Sequence, residues 1–239
     1  MSTTRITDLI TINAPGKDII FDGFDFTDHG YFRILNAGSV TIRNCRIYGL
    51  DTTGAAKNYW LFANTTEPVR LIIENCFFGD NAATASGSLY NMIEPHAKLA
   101  DKSSFSDNYF TKNCCSHNSI NIYGVSDGAT ITVDGNHFEY INTVRFGARG
   151  TPECTVELNS NTIDSTDTEY PEYDGLLCIQ PFGKDTTTFA GCRINMTGNS
   201  IPGSQLVYAY SGANDTAMTS DTVPEVYVDG SKIALTILH

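Results

Sequence analysis

An eight-residue pattern recurs along this chain and limits what it can fold into more than any other feature. Leu71 to Phe78, LIIENCFF, displays it. Side chains alternate across a strand, so Leu71 and Ile73 face one way while Ile72 and Glu74 face the other. Asn75 and Cys76 then turn the chain, and Phe78 returns to the apolar side. The same pattern reads as IIFDGFDF at 19–26, VTIRNCRI at 40–47, SSFSDNYF at 103–110, ITVDGNHF at 131–138, VELNSNTI at 156–163, INMTGNSI at 194–201 and VYVDGSKI at 226–233. Self-similarity at a period of roughly 20–50 residues marks a stacked-repeat architecture.

The turn residues are Gly23, Asn44, Asn75, Asp107, Gly135, Ser160, Gly198 and Gly230, and the steps between them run from 21 to 38 residues. Steps this unequal do not suit helical-pair repeats or propeller blades, whose unit length is nearly fixed. They suit a coil whose strands stack in register while its loops vary. A second apolar stretch follows most turns: YFRIL (31–35), YWLFA (59–63), LYNMI (89–93), SINIY (119–123), NTVRF (142–146), LLCIQ (176–180) and QLVYA (205–209). Few windows hold an apolar period of 3.6, so almost no helix is expected.

The residue after each turn residue forms a column: Phe24, Cys45, Cys76, Asn108, Asn136, Asn161, Asn199 and Ser231. Stacked coils place equivalent residues about 4.8 Å apart. Asn side chains at that spacing hydrogen-bond up and down the stack. Cys45, Cys76, Asn108, Asn136, Asn161 and Asn199 are therefore expected as one inward ladder, with Cys, a small and readily buried residue, continuing the Asn run. With this column the chain resembles the right-handed parallel β-helices of the pectate-lyase-like superfamily over residues 5–238, nearly its whole length. The resemblance implies an all-β, single-domain right-handed parallel β-helix of about eight coils. Residues 1–12 would form an N-terminal lead-in or cap, and 232–239 an apolar C-terminal strand.

Composition narrows the partners. The chain has 15 basic and 27 acidic residues in 239, a net charge of −12. That argues against nucleic acid and anionic membrane surfaces, both of which need basic patches. The first residues lack the apolar core of a secretory leader, and no apolar run has the length of a membrane span. Seven Cys is an odd number with no framework spacing, so reduced core thiols and synthesis in a cytosol are expected.

Loops presented by rigid strands are where a site is sought. In 112–118, Cys114, Cys115 and His117 have poor spacing for zinc, so structural thiols and no metal are expected. The loop 164–174, DSTDTEYPEYD, concentrates acids and tyrosines. Asp164, Asp167, Glu169, Tyr170, Tyr173 and Asp174 are the candidate binding residues. The loop lacks the spacing of an EF-hand, and no cofactor is expected. Trp60, Tyr208 and Tyr210 are further candidates for a sugar-facing surface.

The superfamily resemblance implies polysaccharide lyase or hydrolase chemistry as one reading. Glycosidases need two carboxylates about 5–5.5 Å or 6.5–9.5 Å apart. The strand acids Asp22, Glu74, Asp134 and Asp229 are instead separated by Arg43, Ser106, Asn159 and Thr197 in the same column. Arg145 and Arg149 have a spacing found in pectate lyases, but the Trp-Ile-Asp-His motif of that family is missing, as are the Gly-His-Gly and paired-Asp motifs of polygalacturonases. No catalytic residue is assigned. The resemblance also implies a non-catalytic component of a bacteriophage particle: capsid decoration, fibre, spike or baseplate. Such a chain is made in the host cytoplasm and built into the virion, contacting symmetry mates, as a trimer most readily, or other virion proteins. Carbohydrate is the one further ligand class, through a depolymerase or a non-catalytic binding module.

Overall fold

The computed structural model describes residues 3–52, 59–81, 89–140, 143–147, 153–165, 175–180, 189–202, 206–210, 218 and 221–238. Every regular element among them is a strand, and no helix occurs. Three rows of parallel strands account for the architecture. The approach row leads into the repeated turns: the second half of Ile10–Asp22, the second half of Phe32–Arg43, then Arg70–Glu74, Ser104–Ser106, Thr130–Asp134, Cys154–Asn159, Cys192–Thr197 and Glu225–Val228. The exit row leaves them: Thr4–Ile6, Phe24–Asp28, Arg46–Leu50, Phe77–Phe78, Tyr109–Phe110, His137–Phe138 and Thr162–Ile163. The return row comprises the first halves of the two long strands, then Tyr59–Ala63, Asn91–Pro95, Ile120–Ile122, Val144–Phe146, Leu177–Ile179, Val207–Tyr210 and Ile237–Leu238. Ile10–Asp22 and Phe32–Arg43 serve both the approach and return rows and join them into one sheet.

The turn between approach and exit rows sets this register. All eight turn residues have a left-handed φ, from 51° at Asn75 to 78° at Gly230. Asn and Asp tolerate that region better than other side-chain-bearing residues. Gly135 is needed for a second reason: a Cβ there would lie 2.5 Å from Asp107 Oδ1.

Behind the six turns from Asn44 to Gly198 the next residue points inward and builds the expected ladder. Asn108 Nδ2 donates to Asn136 Oδ1 at 2.9 Å, Asn136 Nδ2 to Asn161 Oδ1 at 2.9 Å, and Asn161 Nδ2 to Asn199 Oδ1 at 3.0 Å. Each of those acceptor oxygens also takes the backbone N–H of the preceding rung, as Asn136 Oδ1 does from Asn108 N at 3.1 Å. Each Nδ2 also donates to a strand carbonyl, for example Asn136 to Phe105 O at 2.9 Å. Cys76 and Cys45 occupy the same column, with their thiols toward Ile42 O at 3.6 Å and Phe21 O at 3.8 Å. A second, outer ladder runs over the first turns: Asn75 Nδ2 to Asn44 Oδ1 at 2.6 Å and Asn44 Nδ2 to Asp22 Oδ1 at 2.8 Å. A charge column runs beside it, with Arg43 2.9 Å from Asp22 and 3.9 Å from Glu74.

The interior is apolar and in register. Phe78, Phe110 and Phe138 stack face to face with centroids 4.5 and 5.0 Å apart. Trp60 is fully buried among Phe26, Phe32 and Phe78, and its Nε1 donates to Gly30 O at 3.0 Å. Its burial removes it as a sugar platform.

The eighth copy departs from the other seven. Its approach strand, Glu225–Val228, pairs in parallel with Cys192–Thr197. After Asp229 and Gly230, both at positive φ, the strand Ser231–Ile233 folds back antiparallel on it. Two consecutive residues at positive φ favour a tight hairpin whose twist matches its strands. Ser231 therefore leaves the column expected for it. Lys232 Nζ lies 2.6 Å from Glu225 Oε1 across the hairpin, and Ile237–Leu238 pairs in parallel with Val207–Tyr210. The segment 232–239 is thus not one strand: a hairpin arm precedes a separate short strand, and residue 239 lies outside the described residues.

Asn136→Leu removes the acceptor of the buried Asn108 backbone N–H and of one of the two Asn108 side-chain N–H bonds, and the donor to the Phe105 carbonyl, and should destabilise the protein by at least about 1–3 kcal/mol in urea unfolding. Ser160→Gly relieves a left-handed φ of 56° and should raise stability by up to about 1 kcal/mol, the strain relieved exceeding the added unfolded-state entropy.

Candidate functional site

The outer face of the return row carries the chemistry. Register places Phe62, Glu94, Asn121, Arg145, Cys178 and Tyr208 in successive outward positions, between two inward apolar columns. Two of these six positions are shielded: Glu94 is only 3% exposed and Asn121 is fully buried.

Glu94 is held by three neighbours. His96 Nε2 lies 2.7 Å from Oε1, Asn121 Nδ2 donates to Oε2 at 2.9 Å, and Asn91 Nδ2 donates to the same oxygen. Burial alone would raise the pKa of Glu94, but the contacts with His96, Asn91 and Asn121 together outweigh it and hold the carboxyl below its usual range. Asn91 Oδ1 accepts from Asn118 N at 2.8 Å, which ties this network to the next loop. His96 stacks on Tyr123 with centroids 4.3 Å apart and meets the edge of Phe62. Asn121 Oδ1 is buried with no hydrogen-bond partner.

Farther along the row lies a cleft of about 330 Å³ lined by Tyr90, His117, Asn118, Arg145, Cys178, Gln180, Tyr208 and Tyr210. Tyr90 and His117 stack with centroids 3.8 Å apart and form one wall. That wall is set by backbone bonds between coils, Ser116 N to Leu89 O and His117 N to Tyr90 O, each 2.9 Å. Burial pushes the His117 pKa down, and the nearby Arg145 charge pushes it further, so the imidazole is neutral at pH 7. Burial also lowers the Arg145 pKa, opposed by the fields of Cys178 and Glu94. A guanidinium stays protonated across such shifts. Arg145 is thus the one cation among the described lining residues.

The acidic loop fares differently. Asp164 lies on the exit row, where its carboxylate takes His137 Nε2 at 2.9 Å and is half-exposed. His137 continues a stacked column with Tyr109, centroids 4.6 Å apart. Asp164 is thus placed at the exit row and lines no part of the cleft. Asp167, Glu169, Tyr170, Tyr173 and Asp174 lie outside the described residues. Tyr208 and Tyr210 do line the cleft. Cys114 and Cys115 are buried, Sγ to Sγ 3.8 Å, and belong to the core as expected from their spacing. Their neighbour His117 belongs to the cleft. Among the described residues no group of three or more His, Cys, Asp or Glu is placed to hold a metal ion.

Glu94, Asn121 and Tyr90 were missed from the sequence. A signal existed: Asn121, Arg145, Cys178 and Tyr208 share one offset between apolar residues in four of the return strands, and polar side chains there interrupt an apolar run. No family model, curated protein or solved structure matches the chain.

Glu94→Gln places an amide where Oε2 now accepts two donors or Oε1 meets His96, and should destabilise by about 1–3 kcal/mol. The Glu94 pKa is lower folded than unfolded. Its contribution is therefore present above its unfolded value near 4.3 and lost as pH falls through the folded value. Urea midpoints of the wild type should accordingly drop more steeply than those of Glu94→Gln as pH falls below about 4.3.

Proposed function

We propose that the chain is a single-domain right-handed parallel β-helix and that it serves as a non-catalytic structural component of a bacteriophage particle, as decoration, fibre, spike or baseplate part. The unequal repeat steps, the three parallel rows and the inner Asn ladder support the β-helix. The open apolar edge at the first rung carries the assembly reading. The strand Ile10–Asp22 pairs with Phe32–Arg43 alone among the described strands. Ile10, Ile19, Phe21 and Phe24 pack against the core yet are only partly buried, and Leu9 and Ile20 are 53% and 60% exposed. An uncovered edge of this length invites pairing with another chain. Burial against a symmetry mate, in a trimer, or against a neighbouring virion protein stabilises it. A specific contact there buries more than about 1,000 Å².

The setting of Glu94 favours a non-catalytic role for that carboxylate. A general acid needs a proton to give. Glu94 instead accepts from Asn91 and Asn121, contacts His96, and has a lowered pKa. A second reading, a non-catalytic carbohydrate-binding surface, is favoured by the cleft between Tyr90 and Tyr210. Amphipathic rings around a few placed polar groups are the usual make-up of a small-ligand site.

Ile20→Lys alters an exposed side chain, so the fold should survive while self-association or uptake into particles falls at least tenfold. Sedimentation and co-purification with particles measure this. Unchanged association in a folded Ile20→Lys protein would overturn the edge argument. Incubation with acidic polysaccharides should release no reducing or unsaturated ends, and sustained release would restore the depolymerase reading.

A further inference from the structure

We infer that Cys154 and Cys192 form a site of reversible oxidation, which closes to a disulfide and clamps the longest excursion of the chain when the protein meets an oxidising medium. This goes beyond the particle reading and does not depend on it. Three observations carry it. First, the two thiols touch. Cys154 and Cys192 are register partners on neighbouring parallel strands, and Cys154 Sγ donates to Cys192 Sγ at 3.3 Å. Neighbouring strands lie about 4.7–4.9 Å apart, inside the roughly 4.4–6.8 Å range of Cα separations that a disulfide spans. The sulfurs need to close by only about 1.3 Å to reach the bond length of about 2.05 Å. The other cysteines are placed differently. Cys114 and Cys115 lie 3.8 Å apart at sulfur, but adjacent Cα atoms are about 3.8 Å apart, short of the disulfide range. Cys45 and Cys76 direct their thiols at the carbonyls of Arg43 and Glu74 as rungs of the inner column. Cys178 has Arg145 and Tyr208 as its register partners.

Second, packing alone does not ask for sulfur here. The preceding rung fills the same position with the buried Ala129, whose O accepts from Thr155 N at 2.9 Å. The cysteine pair stands at the start of its two strands, next to Glu153, Gly191 and Arg193, all of them exposed. A small oxidant approaches from those strand ends.

Third, the bond would act where the chain wanders most. The two cysteines are 38 residues apart. They lie on consecutive rungs whose turns, Ser160 and Gly198, are separated by the longest step of the repeat. The segment between them carries the return strand Leu177–Ile179. Closing a longer loop removes more freedom from the unfolded chain, so a clamp on this rung stabilises more than one on a shorter step.

Glutathione keeps such a pair reduced in a cytosol. Outside it, hydrogen peroxide serves as the oxidant. Cys192, which accepts the hydrogen bond from Cys154, attacks one peroxide oxygen. The O–O bond breaks, the departing hydroxide takes the Cys192 proton to leave as water, and Cys192 becomes a sulfenic acid. The Cys154 sulfur then attacks the Cys192 sulfur, the S–O bond breaks, and the Cys154 proton leaves with that hydroxyl as a second water. Two thiols and one peroxide thus give one disulfide and two waters, with two electrons passing from sulfur to oxygen. The contact with Cys192, burial and the nearby Asp127 charge push the Cys154 thiol pKa up. The thiolate is the reactive form, so the pair oxidises slowly at pH 7, as suits a bond made once after folding.

The test uses the full chain, purified with its thiols reduced and then exposed to hydrogen peroxide at neutral pH. Free thiols are alkylated in urea, and the peptides are mapped by mass spectrometry without reductant. One intramolecular bond should join the peptides that hold Cys154 and Cys192. The melting temperature should rise by at least about 4 °C and fall back when dithiothreitol reduces the bond. Cys192→Ala, which puts the residue type of Ala129 into the column, should form no such bond and show no rise. If that variant does not fold, the peptide map and the melting shift of the wild type still decide the matter. A Cys154–Cys192 bond that forms only when oxidation is carried out in urea overturns the site. So does a folded protein in which both thiols stay free while Cys178 is oxidised, or a bond from either residue to a second copy of the chain. Bond formation with no rise in melting temperature, or an equal rise in Cys192→Ala, overturns the clamp.

Discussion

The hydrogen-bonded column from Cys45 to Asn199 is the constraint on which the rest of the structure depends. A chain that makes an unprotected turn at every rung leaves buried backbone N–H and C=O groups at each one. Every Asn in the column answers one N–H with its Oδ1 and one C=O with its Nδ2, and at Asn136, Asn161 and Asn199 the same Oδ1 takes the side-chain amide of the preceding Asn. A buried polar group left unpaired costs about 1–3 kcal/mol. A slip by one residue would turn every inward side chain outward and break every ladder bond at once. Register is therefore fixed at the turn. The apolar columns, including the Phe78–Phe110–Phe138 stack, follow from it.

Because register is fixed at one corner, the other two corners are free to vary. Steps of 21 to 38 residues between turns are absorbed there without disturbing the strands. This freedom lets the return row carry a polar outer column. An outward position on a sheet ordinarily faces water, but Glu94 and Asn121 are buried here, beside Asn91 and His96. A carboxylate in that setting needs donors, and Asn91, Asn121 and His96 supply the contacts. The network that satisfies Glu94 also reaches Asn118 at the rim of the cleft through Asn91. Core stability and cleft geometry are thus coupled through Asn91, which serves both.

Much of the fold was legible because its signals are local. The eight turn residues, the six ladder residues and the return-row stretches from 31 to 209 each follow from a short window. Two features were not legible for the same reason. The hairpin at Asp229 and Gly230 depends on two adjacent positive-φ residues, whereas the repeat pattern reads Asp229 as an ordinary strand position. The cleft depends on which loops cross which rung. Nothing in the spacing of Tyr90 and His117, 27 residues apart in sequence, announces that their rings touch. The acid-rich loop drew notice by composition, but Asp164, its first acid, is spent on His137 at the exit row. Composition flags where charge is abundant; burial decides where a charge has leverage.

That distinction bears on how the return face acts. Glu94 and Arg145 sit two rungs apart with Asn121 between them. Glu94 meets three neighbouring side chains, so its field is largely spent on groups that stay in place. Arg145 sits two rungs on, among the residues that line the cleft. A reacting site sets groups of opposed proton affinity against the same substrate atom. Here the anion is buried among the side chains that hold it, and the cation is among the residues that line the cleft. Glu94 thus braces the neighbouring strand through Asn121, whose register partner is Arg145.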